Sequence, residues 1–248
     1  MIDDRKSLIL KAIIESFVQA ADPVGSNYIL KNYKINVSSA TIRNDMAYLE
    51  EIGLIYQPHI SAGRIPTEKG FRVFVDELMD EVSNSVQEKQ RAVFDLSRDN
   101  TYREMEVFLK DSLSILSSTT QNVSFITLPW KRDAYYLGVS YVLKKPEFRD
   151  AVRASSIVEV LEDKDNFLEA ISQMEIDRGV RIYIGNENIV SGIQSCSILV
   201  TEYELCDDFK GVIGVLGATR MNYAYNISAL KVLRDDVERL CKKYYFNL

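Results

Sequence analysis

The sequence predicts an α+β fold in two parts, an N-terminal part made of helices and a C-terminal part that mixes helices with a small sheet. Apolar residues recur at helical spacing through the first 80 residues, whereas β-rich runs cluster between residues 122 and 216. A polar, charged stretch lies between these parts. We therefore expect a first domain over residues 1–80, a helical connector over 81–100 and a second domain over 101–248.

The N-terminal part begins with three predicted helices. Residues Asp3–Ala20 carry apolar side chains at three- and four-residue spacings, and Asp22–Gly25 ends this helix because proline and glycine do not extend it. Ser26 is expected to cap a short second helix. Ser38 or Ser39 is expected to cap a third helix, which runs to about residue 52 and ends at a glycine.

The rest of this part has the order of a winged helix-turn-helix. Leu54–Gln57 is predicted to be a brief strand, Ser61–Pro66 a turn-rich loop and Thr67 the cap of another helix. Three short helices followed by a strand, a loop that contains glycine and a further helix are typical of that DNA-binding motif.

The C-terminal part is predicted to contain four strands between helices. The strands are expected at residues 122–128, 180–184, 196–201 and 211–216, in an antiparallel arrangement. Residues 135–163 are predicted to be helical with a break at Pro146, and a closing helix is expected over 223–242. Gly211, Gly214 and Gly217 do not have dinucleotide-binding spacing, so we expect them to let a strand pack closely.

Composition argues against a membrane protein and against an enzyme. No apolar run approaches the roughly 20 residues of a membrane helix, and Met1–Lys6 lacks the pattern of a signal peptide. The single histidine, His59, excludes most metal and Ser-His-Asp chemistry. Cys196, Cys206 and Cys241 are scattered, and we expect them to pack in the interior. The expected protein is cytoplasmic, has no catalytic residues and binds no cofactor or metal.

The charge distribution is compatible with DNA binding by the N-terminal part. The whole chain has a formal net charge of −6. Between Pro23 and Arg72, however, six basic and four acidic residues give a formal charge of +2. A locally basic module on an acidic protein is compatible with nucleic-acid binding but does not prove it.

The third helix carries the candidate base-reading residues. Ile42, Met46 and Leu49 share one face, and the opposite face combines small residues with Arg43 and Asn44. In a major groove, arginine can bind guanine, asparagine can bind adenine, and alanine can contact thymine methyl groups. Hydroxyl groups at the helix N-terminus can contact phosphate. The candidate residues of this helix are Ser38, Ser39, Ala40, Thr41, Arg43 and Asn44. The alternative is a solvated face on a small helical bundle.

A second group of candidates flanks the predicted wing. His59, Ser61 and Arg64 lie close to Gly63, and an arginine there could enter a minor groove or bind a phosphate. Taken alone, this segment also fits an ordinary surface hairpin.

Several long runs of residues are specific enough to indicate a resemblance to a known family. In the N-terminal part these runs are Asp22–Ser26, Ser38–Met46 and Gln57–Arg72. In the C-terminal part they are Lys145–Asp150, Val180–Asn188 and Gly211–Tyr223. Together they resemble the HrcA family of heat-inducible transcription repressors. The resemblance covers most of the chain and is strongest in the first 80 residues.

The resemblance implies a winged helix followed by a GAF-like domain. It also implies a homodimeric repressor of chaperone genes that binds double-stranded DNA at an inverted-repeat operator, CIRCE. In this family the GroEL chaperonin is thought to keep the repressor active, and heat stress releases repression when unfolded proteins occupy GroEL.

The sequence departs from the family in length. Usual members carry an inserted module between the segments that match Val123–Leu128 and Tyr136–Phe148, whereas here only Pro129–Tyr135 joins them. We therefore expect an abbreviated GAF-like domain. Two alternatives stay open: a winged-helix regulator whose GAF-like domain senses a small molecule, and a protein-interaction module that has lost operator binding.

Overall fold

The structure of the chain, a computed structural model, describes residues 2–81, 83–95, 105–206 and 209–245. It divides into two units. The first contains Met1–Asp80 and Thr219–Asn222, and the second contains Glu81–Ala218 and Tyr223–Leu248. Helices and one five-stranded antiparallel sheet make up most of the described residues, which fits the predicted α+β class.

The first unit is built from four helices and a two-stranded hairpin. In chain order these elements are α1 (Asp4–Ala20), α2 (Ser26–Asn32), α3 (Ser39–Glu51), β1 (Ile55–Tyr56), β2 (Ile65–Pro66) and α4 (Glu68–Val73). A π-helical turn, Phe74–Leu78, continues α4. The three predicted helices, the brief strand and the helix capped by Thr67 are confirmed.

The expectation that Ser26 caps α2 is wrong. Gly25 occupies the cap position with extended backbone angles, and no side chain caps the helix. The Ser26 hydroxyl instead shares a hydrogen bond of 3.1 Å with the Ser39 hydroxyl at the start of α3. A contact between helices thus replaces the local cap.

Apolar faces of α1 and α3 form the core of the first unit. Ile9, Leu10 and Ile13 of α1 are fully buried, as are Ile42 and Leu49 of α3, and the two helices pack against each other. This burial follows the three- and four-residue spacing of the apolar side chains along each helix.

The second unit contains a five-stranded antiparallel sheet with strand order β4-β3-β7-β6-β5. Its strands are β3 (Val123–Leu128), β4 (Asp133–Leu137), β5 (Arg181–Ile184), β6 (Cys196–Cys206) and β7 (Phe209–Ala218). The four predicted strands are confirmed. Close packing is confirmed at Gly211 and Gly214, because a Cβ atom would lie 2.5 Å from the Tyr203 ring and 2.2 Å from the Phe125 ring, respectively.

The prediction that residues 135–163 are helical is wrong at its beginning. Residues 133–137 form β4, which pairs antiparallel with β3 and aligns Ile126 with Tyr135. Aromatic residues suit a pleated strand, and the neighbouring β3 supplies the pairing partner. The remainder is helical and broken at Pro146, as predicted. Its elements are α7 (Val139–Leu143), a 3-10 turn (Pro146–Phe148) and α8 (Ala151–Glu162), and α9 (Lys164–Gln173) follows.

Helices cover the sheet of the second unit. α6 (Met105–Thr120) contacts β3 and β4, and α10 (Tyr223–Tyr245) contacts β6 and β7. Side chains of α8 and α9 join a core cluster with β3, in which the rings of Phe125 and Phe167 meet edge to face at 5.0 Å. Within the described part of the chain, no helix combines the length and the apolar character needed to cross a membrane.

Part of the predicted connector is helical and packs onto the second unit. α5 (Asn84–Asp95) contacts α10, where the Ser228 hydroxyl donates to Gln90 Oε1 at 2.7 Å and Gln90 Nε2 donates to the Tyr225 carbonyl at 3.2 Å. Gln90 is buried. Residues 82 and 96–100 of the predicted connector lie outside the described residues.

Candidate nucleic-acid interface

Ser38 fixes the start of α3. Its hydroxyl oxygen accepts a hydrogen bond from the Thr41 amide at 3.1 Å and lies 2.9 Å from the Thr41 hydroxyl. A serine cap satisfies one of the free amides at a helix N-terminus and fixes where the helix begins. The remaining N-terminal amides and the positive end of the helix dipole can attract a phosphate.

Ser39 connects α3 to the preceding helix. Its hydroxyl donates to Asn27 Oδ1 at 2.6 Å and lies within hydrogen-bond distance of the Ser26 hydroxyl. Two side chains from the first turn of α2 therefore hold the first turn of α3. In the free protein Ser39 positions the helix.

The two faces of α3 differ in the way that its periodicity predicts. Ile42, Met46 and Leu49 are buried. The exposed side chains are Ala40, Arg43, Asn44, Ala47, Tyr48 and Glu51. Among the described residues, no hydrogen bond or ion pair engages the side chain of Arg43 or Asn44. Both can therefore bind a ligand without breaking an internal contact.

A buried carboxylate fixes the orientation of α3. The Asp45 side chain is only 6% exposed and accepts two hydrogen bonds from the Arg5 guanidinium, at 2.7 and 3.0 Å. The Lys6 ammonium lies 3.9 Å from the same carboxylate. Paired N–H donors from one guanidinium restrict both position and angle. Arg5 thus holds α3 against α1.

The predicted wing corresponds to the eight-residue loop between β1 and β2. Its strands pair Ile55 with Pro66 and Tyr56 with Ile65. Gln57 Nε2 donates to two carbonyls across the loop, those of Ile60 and Ala62, each at 2.9 Å. His59 and Ser61 are exposed at its tip, with 3.3 Å between His59 Nδ1 and the Ser61 hydroxyl.

Glu50 joins the wing to α3. One carboxylate oxygen accepts a hydrogen bond from the backbone amide of Gln57 at 3.0 Å, and the other accepts one from Arg64 Nε at 2.8 Å. The Arg64 side chain is 17% exposed. The structure therefore places Arg64 at the base of the wing, and a DNA contact by this residue would compete with its ion pair to Glu50.

The segment before α2 supports the other side of the wing. Val24 and Arg64 exchange two backbone hydrogen bonds, each 2.9 Å long. A Cβ atom on Gly63 would lie 2.4 Å from the carbonyl carbon of Val24. Only glycine permits this approach of two backbones.

Sequence reasoning did not select several exposed side chains of the first unit as site residues. Lys31 and Lys34 lie on and just after α2. Tyr28 and Tyr48 are 47% and 41% exposed. The local charge count already contained both lysines and could have marked them as candidate phosphate contacts, whereas the exposure of the tyrosines depends on how the helices pack.

Charged side chains of the second unit pair with one another: Arg178 binds Glu204 and Glu238, and Lys131 binds Glu106. Among the described residues of both units, no group of three metal-ligating side chains could hold a metal ion. Cys196 is fully buried, and this burial raises the pKa of its thiol to about 12.

Comparisons with known proteins reveal relatives along the whole chain. A family model described as "HrcA protein C terminal domain" matches residues 77–227, which is more than half of the chain. A heat-inducible transcription repressor HrcA from Ruminiclostridium cellulolyticum is 27% identical, over 100% of this chain and 99% of that protein. Its counterpart from Brevibacillus brevis is 28% identical, over 97% of this chain and 98% of that protein.

The match to a solved structure concerns the fold. A crystal structure described as that of a hypothetical protein, at 2.2 Å resolution, has a TM-score of 0.78 and 18% sequence identity. It covers 98% of each chain.

The length of the alignment bears on the predicted absence of a module. The alignment with the Ruminiclostridium protein extends over 346 residues, whereas this chain has 248, so about 98 positions are gaps in this chain. The predicted loss of an inserted module is consistent with these gaps. Since a family model covers more than half of its length and relatives align with all of it, the chain belongs to the HrcA family.

Proposed function

We propose that the chain is a sequence-specific DNA-binding repressor of heat-shock genes, with the first unit acting as a winged helix-turn-helix. The observation that carries the proposal is the exposed face of α3. There Arg43 and Asn44 have no internal partner among the described residues, and Ala40 and Ala47 leave room for a close approach. The helix itself is fixed by Ser38, Ser39 and Asp45.

The chemistry of this face suits a major groove. Arg43 would donate two hydrogen bonds to a guanine, and Asn44 would pair with an adenine edge. Ala40 would contact a thymine methyl group. Ser38, Ser39 and Thr41 would lie against a phosphate at the helix N-terminus, while His59, Ser61 and Arg64 would belong to the wing contact.

The proposed partner is an inverted-repeat operator of the CIRCE type. One recognition helix reads only a few base pairs, so an inverted repeat requires two copies related by two-fold symmetry. We therefore propose a cytoplasmic homodimer formed through the abbreviated GAF-like second unit. Repression would end on heat stress, with the GroEL chaperonin as the partner that maintains the active form.

Fluorescence anisotropy tests this proposal with two duplexes. One carries the intact inverted repeat, and the other has one half-site scrambled. We expect tight binding to the intact repeat at physiological salt and a large loss when one half-site is scrambled. Equal, weak binding to both duplexes that falls steeply with salt would reduce the interaction to phosphate contact and contradict the proposal.

Arg43→Ala tests the assignment within α3. We expect it to cost about 1–3 kcal/mol of specific binding and to relax the base preference at one position of each half-site. The matched control is Arg149→Ala, which removes an exposed arginine from the second unit. Equal affinity of parent and Arg43→Ala for the intact repeat would remove Arg43 from the base-reading set.

The two alternatives, a small-molecule sensor and a protein-interaction module, predict different experimental results. A metabolite that raises the melting temperature of the chain would indicate a small-molecule sensor in the second unit. A monomeric chain that fails to bind either duplex would indicate an interaction module.

A further inference from the structure

The tip of the wing carries an apolar side chain that is almost completely exposed to solvent. Ile60 is 99% exposed, more than any other large apolar side chain among the described residues, of which Val152 is next at 72%. Single exposed apolar residues are common on protein surfaces. The special feature of Ile60 is the rigid support beneath it.

The backbone on both sides of Ile60 is fixed. Gln57 Nε2 donates to the carbonyl of Ile60 itself and to that of Ala62, and the Ala62 amide donates to the His59 carbonyl at 2.8 Å. A flexible loop could turn its isoleucine inward at little cost. These three hydrogen bonds instead hold Ile60 in water, where a branched apolar side chain contributes nothing to folding.

The position of the tip is also fixed relative to α3. Glu50 of α3 binds the Gln57 amide, and Gln57 in turn holds the loop that carries Ile60. The same carboxylate engages Arg64, the cation that the sequence suggested for the groove. Arg64 is therefore engaged within the protein, whereas the exposed Ile60 side chain can contact a partner.

We propose that Ile60 contacts the minor groove next to the bases read by α3 and selects A·T pairs there. This inference rests on the proposed function. A·T pairs present only acceptors on the floor of the minor groove, whereas a G·C pair adds the guanine N2 amino group. An isoleucine laid over that group would bury its N–H without a partner, which carries a free-energy penalty. Isoleucine selects A·T pairs because it cannot satisfy that donor.

Inosine makes the inference testable, because an inosine·cytosine pair lacks the N2 amino group but keeps the major-groove acceptors of guanine. The probes are inverted-repeat duplexes whose base pairs flanking each half-site are, one position at a time, A·T, G·C or inosine·cytosine. For the parent chain we expect a G·C pair under the wing to weaken binding about tenfold, equivalent to 1.4 kcal/mol. Inosine·cytosine at that position is expected to bind like A·T.

Variants connect this pattern to Ile60. Ile60→Ser, whose hydroxyl can accept the amino proton, is expected to weaken binding to the A·T duplex and to remove most of the discrimination against G·C. Ile60→Leu is expected to keep both the affinity for the A·T duplex and the discrimination against G·C. The matched control is Leu8→Ser on α1, which also removes an exposed apolar side chain, 54% exposed, from the first unit. Since the Ile60 side chain is 99% exposed, the Ile60 variants should keep the parent's circular dichroism.

Three results would overturn the inference. They are inosine·cytosine binding like G·C, Ile60→Ser keeping the parent's discrimination, and Leu8→Ser losing it equally. Each of these can occur while the parent still distinguishes the intact repeat from the scrambled one, so the proposed function would stand. A parent chain that does not make that distinction would overturn the proposed function and the wing assignment together.

Discussion

Asp45 shows how a single residue on the proposed recognition helix can stabilise the fold. It lies on the buried side of α3, and its carboxylate faces the guanidinium of Arg5, 40 residues earlier in the chain. A buried carboxylate is tolerated only when donors compensate for its lost hydration. The pair therefore sets how α3 sits on α1, and through α3 it sets the direction in which Arg43 points.

Removing the partner of Asp45 should destabilise the first unit. We expect Arg5→Met to lower the free energy of unfolding, because the Asp45 carboxylate stays buried with fewer donors. Arg5 is itself nearly half exposed, which keeps the effect below that of a fully buried pair. Urea denaturation, monitored by circular dichroism, measures this change in the free energy of unfolding.

The control for this measurement is Arg181→Met. Arg181 pairs with Asp177 in the second unit, and both side chains are about half exposed. Exposed ion pairs of this kind contribute less than about 1 kcal/mol. Equal effects of the two substitutions would mean that burial of Asp45 has no energetic consequence.

Cys196 should be chemically inert in the folded chain. Burial raises the pKa of its thiol to about 12, so almost none of the reactive thiolate is present at pH 8. We expect peptide mass spectrometry to find almost no iodoacetamide on Cys196 in native protein and rapid labelling in urea. Native labelling at the rate of a free thiol would contradict the burial of this residue.

Residue-level predictions from sequence succeeded where a local rule applied. Periodicity at 100° per residue predicted which side chains of α3 are buried, and the serine pattern included its cap, Ser38. Local rules could not predict the partner of Arg64. Glu50 lies 14 residues earlier, on another element, and the two meet only after the chain has turned back at the wing.

Among the elements, the wing depends on close contact with the backbone before α2. Val24 pairs with Arg64 on one side, and Glu50 binds Gln57 on the other. Between them Gly63 leaves no space for a side chain. The loop is thus held at its base from two directions.

Gly63→Ala should disturb the wing while leaving α3 folded. The new methyl group would lie 2.4 Å from a backbone carbon of Val24, so one of the two segments must move. We expect a loss of about 1–3 kcal/mol in stability and a weaker affinity for the operator.

Gly25→Ser is the control for this substitution. No atom lies within 4 Å of a Cβ atom on Gly25, and serine is preferred at the helix cap that it occupies. Unchanged stability and unchanged DNA affinity in Gly63→Ala would show that the wing does not need this close approach.

Strand β4 marks the limit of sequence reasoning at this scale. Its residues follow a short turn after β3, and the aromatic pair Tyr135 and Tyr136 suits a strand as well as a helix face. Because short apolar runs lack a decisive period, the pairing partner decides their structure. The composition of Pro129–Arg132 as a turn between two strand-like runs was the available signal.

For the whole molecule, charge is distributed unevenly between the parts of the chain. The net charge is −6, yet residues 23–72 carry +2. Exposed Lys31 and Lys34 add to the potential around α2, and no ion pair engages either side chain within the described ranges. Association with DNA should therefore depend strongly on salt in spite of the acidic total.

Lys31→Ala should weaken binding to every duplex by a similar factor. We expect the slope of log affinity against log salt concentration to fall by about 1 for each lost phosphate contact per subunit, with no change in base preference. Lys144→Ala, which removes an exposed lysine from the second unit, is the control. A change of base preference without a change of slope would instead indicate a base contact by Lys31.

On α3, the exposed residues differ from those that make internal contacts, and this has a consequence for how such a regulator can diversify. Arg43 and Asn44 make no internal contact among the described residues, while Ser38, Ser39, Asp45 and Glu50 make the contacts that hold the helix and the wing. Replacing the first pair leaves every one of those supports in place. A duplicated gene could thus acquire a new target sequence by a few surface substitutions, and an engineer could retarget the protein in the same way without first restabilising it.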